Sequence, residues 1–264
     1  SPAGEDLKNR VHPFILRRMK ADVLSELPEK IENNVYAPLE PEQQKMYSAY
    51  LAAARKEADA YLSGGENTIR ILSLLLRLRQ ICCHPKLIDE DYQTGSGKLL
   101  LLEELLSSAK DAGHRVLVFS QFTSMLAIIG EQLRQSGISY FYLDGATPSA
   151  QRLELADRFN GGEGDVFLIS LKAGGTGLNL TGADMVIHYD PWWNPAVTDQ
   201  ASDRAHRIGQ TKAVQIIKLA TKGTIEEQIL KLSEKKRNLA DRIIEENTSL
   251  ISSLSREELR KLFE

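Results

Sequence analysis

Two arginines, Arg204 and Arg207, are the residues in this chain best suited to chemistry, and they follow Gln200 at spacings of four and three. In one continuous helix these spacings place all three side chains on a single stripe. Two planar guanidinium groups held on one stripe suit a polyphosphate, because each can donate paired, charge-assisted hydrogen bonds. The alternative is a solvated helix in which Asp203 pairs with Arg207.

The arginines are expected to lie on a helix that packs against a sheet. Asn194 is a good helix cap, Pro195 suits the first helical position, and Gly209 is a typical helix end. Apolar residues form a neighbouring stripe, about a quarter-turn away: Val197, Ala201, Ala205 and Ile208. The pattern predicts a helix from Pro195 to Gly209 that holds both guanidinium groups towards one ligand.

A glycine-rich turn precedes this helix, directly after the apolar run Val166–Leu171. It contains Gly174, Gly175 and Gly177, and glycines let backbone N–H groups approach a phosphate without Cβ clashes. A Rossmann dinucleotide site is disfavoured, because Leu180 stands where that pattern needs its third glycine.

Strands and helices alternate through the second half of the chain. This alternation predicts an α/β fold, a mostly parallel sheet sandwiched by helices, with ligands at the carboxyl ends of the strands. The expected strands are Val116–Phe119, Tyr140–Leu143, Val166–Leu171, Met185–Tyr189 and Val214–Leu219. We expect every loop singled out here to lie at such an end. Thr147 and Pro148 are expected to open the helix that follows Leu143.

Helical additions flank this region at both ends. A strand is predicted over Ile31–Leu39, helices over Pro41–Leu62 and Ile69–Cys83, and a capping box at Thr224–Glu227 begins a helical tail. The polar stretch Asp89–Gly97 is the best internal boundary. We therefore expect four parts: a lead-in with disorder (1–12), a leading segment with a helical protrusion (13–95), a central lobe (96–222) and a helical brace (223–264).

Composition narrows the class of protein. No apolar run is long enough for a membrane span and no secretory leader is visible, so we expect an intracellular protein. The net charge is −3, so any nucleic-acid surface must be a local patch. Adjacent Cys82 and Cys83 lack the spacing of zinc ligands and are expected to be reduced, packed thiols. His84 is expected to cap or pack, and no metal site is predicted.

The chain contains no phosphate loop of its own. Gly95-Ser96-Gly97-Lys98 fails the pattern, because Tyr92 stands at the first glycine position and no Ser or Thr follows Lys98. We expect this piece to cap the helix Lys98–Ala112. No Asp-Glu-x-x box for Mg²⁺ occurs either.

The order of glycine turn, strand, tryptophan turn and arginine helix closely resembles the second RecA-like lobe of the Swi/Snf family of DNA translocases and chromatin remodellers, in helicase superfamily two. The blocks Ser170–Asn179, Asp190–Pro195 and Gln200–Gln210 resemble motifs V, Va and VI, and the run Phe14–Lys20 resembles the family's leading segment. The resemblance implies ATP and Mg²⁺ held mainly by an absent first lobe. It makes Arg204 and Arg207 arginine fingers, and it assigns nucleotide-side roles to Gly175, Gly177, Asn179 and Gln200.

The same resemblance implies phosphate contacts to double-stranded DNA. The implied residues follow four strands: Gln121; Gly145, Thr147 and Arg152; Ser170, Lys172, Gly174 and Thr176; and Trp193. Arg152 has a plain alternative as a surface helix residue. Trp193 has one as an aromatic anchor, the role that we expect of Trp192 instead.

Two rival functions stay open. A strand-separating helicase of the same superfamily would share the glycine turn and the arginines, although the Trp-Asn-Pro turn and the ending His206–Gln210 favour the Swi/Snf branch. A non-catalytic DNA- or protein-binding platform is the other. The expected partners are double-stranded DNA and the first lobe of the same protein, without a membrane and with the chain itself monomeric. A bacterial cytoplasm or nucleoid is favoured over a nucleus.

Overall fold

A computed structural model describes residues 27–63, 68–173, 177–239 and 256–263. Six strands form one sheet in the order β1-β6-β5-β2-β4-β3, and every strand pair in it is parallel. The strands are β1 (Lys30–Ala37), β2 (Val116–Ser120), β3 (Tyr140–Leu143), β4 (Val166–Ser170), β5 (Met185–His188) and β6 (Val214–Thr221). The expected α/β fold with a parallel sheet is confirmed.

Eight helices accompany the sheet within the described residues. They are α1 (Pro41–Leu62), α2 (Thr68–Cys83), α3 (Gly97–Asp111), α4 (Thr123–Gln135), α5 (Ser149–Asn160), α6 (Pro195–Ser202), α7 (Ile225–Leu239) and α8 (Arg256–Leu262). The leading run Phe14–Lys20 lies outside the described residues.

The two faces of the sheet carry separate apolar layers because successive strand residues point to opposite sides. Val116 and Val118 face the layer formed with α3 and α4, whereas Leu117 and Phe119 face the layer that contains Phe159 of α5. All five residues of β2 are buried, as the continuous apolar run predicts for a parallel sheet covered on both sides.

A third apolar cluster joins the protrusion to the tail. Ile71, Leu75 and Leu78 of α2 pack with Ile229 of α7 and Leu259 of α8. β1 runs along β6 from Lys30 opposite Val214 to Ala37 opposite Thr221, so the leading segment contributes the edge strand of the sheet.

Two helix boundaries differ from the predictions. α6 is capped by Asn194 as expected, but it ends at Ser202 rather than near Gly209. α5 begins at Ser149, because Pro148 is extended (φ −59°, ψ 147°) and the Thr147 hydroxyl serves the preceding turn. The expected capping of that helix by Thr147 is therefore wrong.

Candidate nucleotide and nucleic-acid sites

The carboxyl ends of four neighbouring strands form one edge of the sheet. In the sheet order these strands are β5, β2, β4 and β3. The loops that leave them contain most of the residues assigned to DNA, so the parallel topology brings these residues to one edge, as predicted.

The loop after β2 is fastened to the loop after β5. Asp190, buried at the end of β5, accepts hydrogen bonds from the Ser120 hydroxyl and from the Gln121 backbone N–H at 3.3 Å. Its second carboxylate oxygen accepts from Gln121 Nε2. The Gln121 side chain, assigned to DNA, therefore also orders the protein's own loop.

The turn after β3 is held together by its own side chains. Asp144 N–H donates to Thr147 Oγ1 at 3.1 Å, and Asp144 Oδ1 accepts from Ala146 N–H at 2.9 Å. Arg152 reaches back from α5 and donates to the carbonyls of Thr147 (2.7 Å) and Gly145 (3.0 Å). The half-buried Arg152 thus fixes the shape of this turn, in addition to the DNA contact that the resemblance assigns to it.

The loop after β4 leads from this edge towards the arginines. Ser170 is buried at the strand end and Lys172 is exposed. Gly174, Gly175 and Thr176 lie outside the described residues. Gly177 has φ +75°, the left-handed region that favours glycine, and Asn179 beyond it is exposed.

The tryptophan turn after β5 is half-buried. The rings of Trp192 and Trp193 stack with centroids 3.7 Å apart. Trp192 packs beside the sheet layer that includes Phe167, whereas Trp193 packs against the cluster between the protrusion and the tail. Both rings therefore have packing contacts. Their burial does not distinguish an anchoring Trp192 from a DNA-contacting Trp193, so that division of roles stays a prediction.

Arg204 and Arg207 do not share a helical stripe with Gln200, so this prediction is wrong. α6 ends at Ser202, and the next residues form tight turns with bonds from Arg204 N–H to Ala201 O and from Ala205 N–H to Ser202 O. Gln200 is exposed on α6. The two arginines lie on the turn from Asp203 to Gly209, which we call the arginine turn.

Burial and charge distinguish the two arginines. Arg204 is only 7% exposed, and burial together with the neighbouring Arg207 lowers its pKa, while Asp203 acts in the opposite direction. Arg207 is exposed, and its Nη1 donates to the Gly177 carbonyl at 3.2 Å. The end of the glycine loop and the arginine turn are therefore in direct contact.

The arginine turn lies at the amino-terminal side of the sheet, which corrects the expectation that every singled-out loop lies at the carboxyl ends. Gln210 Nε2 donates to Ala183 O at 2.7 Å, just before β5. His206 Nε2 lies 2.8 Å from Pro28 O, just before β1. The reason is topological: α6 leaves the carboxyl edge and runs back before β6 begins.

The expected local roles of the two cysteines, His84 and the Gly95–Lys98 piece are confirmed. Cys82 and Cys83 are free, buried thiols, and burial raises the pKa of both. His84 caps the 3-10 turn Pro85–Leu87 by accepting from Lys86 N–H at 3.1 Å. Ser96 caps α3 by accepting from Leu99 N–H. Within the described residues, no group of three or more His, Cys, Asp or Glu could hold a metal ion, and no helix is long and apolar enough to cross a membrane.

Sequence reasoning missed several buried polar residues around these loops. Lys98 and Glu226 form an ion pair at 2.6 Å with both side chains fully buried. Arg79 of α2 donates to Pro191 O at 3.0 Å and lies 3.7 Å from the Asp190 carboxylate. A signal for Arg79 existed, because Leu72, Leu75, Arg79 and Cys82 share one face of α2 at helical spacing.

The parallel sheet and the arginine turn belong to a region that matches helicases. The family model described as "Helicase conserved C-terminal domain" matches residues 97–209, and that described as "SNF2-related domain" matches residues 3–87. The Sulfolobus solfataricus SWI2/SNF2 ATPase C-terminal domain is 36% identical with a TM-score of 0.71, covering 89% of this chain and 98% of that one. The chain therefore belongs to the SWI2/SNF2 family of ATP-dependent helicases.

Longer relatives agree with this membership. An uncharacterized ATP-dependent helicase of Mycoplasma genitalium is 40% identical over 98% of this chain and 25% of its own length. A human SWI/SNF-related regulator of chromatin, subfamily A member 1, is 39% identical over 98% of this chain and 26% of its own length. The Sulfolobus SWI2/SNF2 ATPase core in complex with dsDNA is 38% identical, with a TM-score of 0.74 over 99% of this chain and 56% of that one. This chain spans about a quarter of the length of the curated relatives.

Proposed function

We propose that this chain is the second, C-terminal motor lobe of a Swi/Snf-type translocase that moves along double-stranded DNA in the bacterial cytoplasm or nucleoid. The central lobe would be 96–222, preceded by the leading segment and protrusion (13–95) and followed by the brace (223–264). ATP and Mg²⁺ would be held mainly by a first lobe. Arg204 and Arg207 would supply positive charge to the phosphates, beside Gly175, Gly177, Asn179 and Gln200.

The contact between Arg207 and Gly177 carries this proposal. One guanidinium N–H is used by the Gly177 carbonyl, which leaves an exposed, oriented fork with further donors for phosphate oxygens. The loop that ends at Gly177 starts at Ser170 on the edge assigned to DNA. Only seven positions of the chain thus separate a residue assigned to DNA from the proposed nucleotide contact.

The charges on the arginine turn suit an anionic ligand. Arg207 is near enough to Arg204 to lower its pKa, so the two like charges repel, and Asp203 offsets only part of this. Guanidinium groups stay protonated in proteins, so both side chains keep their positive charge for a bound anion. Bound ATP supplies the phosphoanhydride that is hydrolysed. The two side chains would stabilise negative charge as it develops on the transferred phosphoryl group.

The carboxyl edge would hold DNA by its phosphates. Turn and loop N–H groups with hydroxyl and Lys side chains position a backbone without reading bases, and Thr147, Lys172 and Trp193 lie on such loops. The DNA complex of the Sulfolobus relative supports this assignment at 38% identity. We assign Gln121, Gly145, Arg152, Ser170, Gly174 and Thr176 to the same surface.

The proposal is tested in a protein that carries this chain together with its first lobe. Arg207→Ala should lower DNA-stimulated ATP hydrolysis by roughly 10³-fold while nucleotide binding survives, because the lost charge acts mainly in the transition state. Arg158→Ala is the matched control, an exposed arginine that is paired with Glu163 and is assigned to neither proposed site. Unchanged turnover in Arg207→Ala would refute the arginine assignment.

Two further assays separate the alternatives. A translocase should displace a third strand from a triplex without unwinding a duplex, whereas a strand-separating helicase should unwind. The isolated 264-residue chain should hydrolyse no ATP above a mock preparation, since the phosphate loop and the Mg²⁺ ligands are expected on the first lobe.

A further inference from the structure

Arg79 lies where the protrusion meets two of the loops assigned to DNA. It projects from α2, and its side chain is only 4% exposed. One Nη donates to Pro191 O and faces the Asp190 carboxylate, beyond the end of β5. Asp190 in turn accepts from Ser120 and Gln121 after β2. One guanidinium therefore links the protrusion to both loops.

Three aromatic rings complete the surroundings of Arg79. Its guanidinium carbon lies 5.2 Å from the ring centroid of Trp192, 5.3 Å from that of Trp193 and 5.6 Å from that of Phe122. These are cation–π distances, and they fix the guanidinium against the stacked tryptophans. The guanidinium thus contacts the tryptophan turn in two ways, by cation–π contacts with the two rings and by its hydrogen bond to Pro191 O.

Anchoring of the protrusion alone does not require a charge at this position. α2 already buries Ile71, Leu75, Leu78 and Ile81 completely or nearly so. A buried guanidinium is costly to desolvate even when it is paired, as Arg79 is with Asp190, and Arg79 Nε has no hydrogen-bond partner among the described residues. Apolar side chains often stabilise such a position as well as a buried ion pair does, which points to a role for the charge in ordering the loops.

We infer that Arg79 is a positioning residue that makes the protrusion, the Gln121 loop and the tryptophan turn move as one body, so that ATP turnover is converted into DNA movement. The inference rests on the proposed translocase function. Without Arg79, Asp190 keeps Ser120 and Gln121, and Trp193 keeps its apolar packing on the protrusion, but the tryptophan pair loses its cation–π and hydrogen-bonded link to that helix. Hydrolysis at the arginine turn should then continue with shorter or missed DNA steps.

The test compares Arg79→Ala with Arg115→Ala in a protein that carries the first lobe. Arg115 is a matched control at the amino-terminal end of β2, because it also donates to backbone carbonyls (Gly164, 3.0 Å) and lies over an aromatic ring (Phe159, 3.9 Å). Arg79→Ala should lower the distance moved per ATP by about tenfold, which lies within the range of effects that mutations have on coupling between sites. The rate of ATP hydrolysis should stay within about threefold of the wild-type rate. Arg115→Ala should keep the ratio even where its melting temperature falls as far.

Two additional variants keep the test decisive. Arg79→Lys retains the charge but loses the planar stack, so it should fold and still lower the distance moved per ATP by about two- to threefold. Trp193→Ala in the Arg79→Ala background should add little, because both changes break one connection.

Intrinsic fluorescence gives a readout in the 264-residue chain itself. Trp192 and Trp193 are its two tryptophans, so emission reports the stacked pair directly. Arg79→Lys should change the emission, and Arg115→Ala should not. Unchanged emission in Arg79→Lys, or an unchanged distance per ATP in Arg79→Ala, would overturn the inference while the translocase proposal stands. A wild-type protein that hydrolyses ATP without moving DNA would overturn both.

Discussion

The buried ion pair between Lys98 and Glu226 gives the sharpest stability prediction. Lys98 of α3 donates to Glu226 of α7 at 2.6 Å, both side chains are fully buried, and the ammonium lies 4.9 Å from the Tyr189 ring centroid. Burial acts to lower the pKa of Lys98, but its contacts with Cys83 and Glu226 hold that pKa above its ordinary value. The pair joins the central lobe to the helical tail.

Glu226→Gln should lower the free energy of unfolding by about 3–5 kcal/mol, because it leaves the Lys98 charge buried without a counter-charge. For a domain of this size the melting temperature should fall by roughly 6–20 °C. Glu226 also accepts from Thr221 N–H at 2.8 Å. The glutamine keeps an acceptor oxygen for that bond but turns its amide N–H groups towards the Lys98 ammonium, so the measured loss combines the missing counter-charge with a missing acceptor.

Urea unfolding of the 264-residue chain measures this effect. Adding Lys98→Met to Glu226→Gln should recover most of the lost stability, because a buried charge pair replaced by neutral groups is often no less stable. Glu163→Gln, which breaks the exposed pair with Arg158, is the control and should change stability by less than about 1 kcal/mol. A loss below about 1 kcal/mol in Glu226→Gln, or a double variant no more stable than the single one, would refute the reasoning.

Two further predictions concern pH and the tryptophan turn. Burial lowers the pKa of His188 to about 3, so between pH 6.5 and 3 the unfolded chain binds a proton that the folded chain does not. The free energy of unfolding should therefore fall by roughly 1.4 kcal/mol for each pH unit in that range as the pH drops. Urea unfolding midpoints measured at pH 7.5 and 5 should differ less in His188→Gln than in the wild type. An equal pH dependence in that variant would contradict this assignment. Trp193→Ala should lower the free energy of unfolding by roughly 1–3 kcal/mol, because the ring stack and the cation–π contact are lost. It should also lower the distance moved per ATP while ATP turnover is retained. A large drop in the melting temperature with unchanged DNA movement would show that Trp193 only packs.

Elements whose signals are local were predictable from the sequence. The bounds of β2 and β4 agree with their apolar runs within one residue, because strands covered on both faces need an unbroken apolar sequence. α1 agrees with its prediction at both ends, where Pro41 begins it and Ser63 follows it. The Asn194 cap also follows from local geometry, since its side chain accepts from Ala196 N–H two residues on.

The arginine turn could not be predicted, because distant partners decide where α6 ends. The Arg204 carbonyl accepts from Leu180 N–H at 2.9 Å, and His206 reaches Pro28, 178 positions away. An uninterrupted helix would carry these groups away from both partners. Spacing of four and three residues indicates a shared stripe only while the backbone stays helical. The geometric reason for selecting the two arginines is therefore incorrect, and their functional role stays a prediction.

The separation of the two proposed sites has a mechanical consequence. The loops assigned to DNA lie at the carboxyl edge and the arginine turn lies at the amino-terminal side, so a change at one reaches the other only through the connections between them. Two connections involve described residues: α6 runs from the tryptophan turn to the arginine turn, and Arg207 contacts Gly177, which follows Ser170 by seven positions in the chain. α6 has eight residues and is held at both ends, by the Asn194 cap and by the Ser202 contact with His188. A short, fixed helix transmits displacement rather than absorbing it, so motion of the arginine turn should reach the tryptophan pair. Arg79 holds that pair to the protrusion, so the motion should reach the protrusion as well.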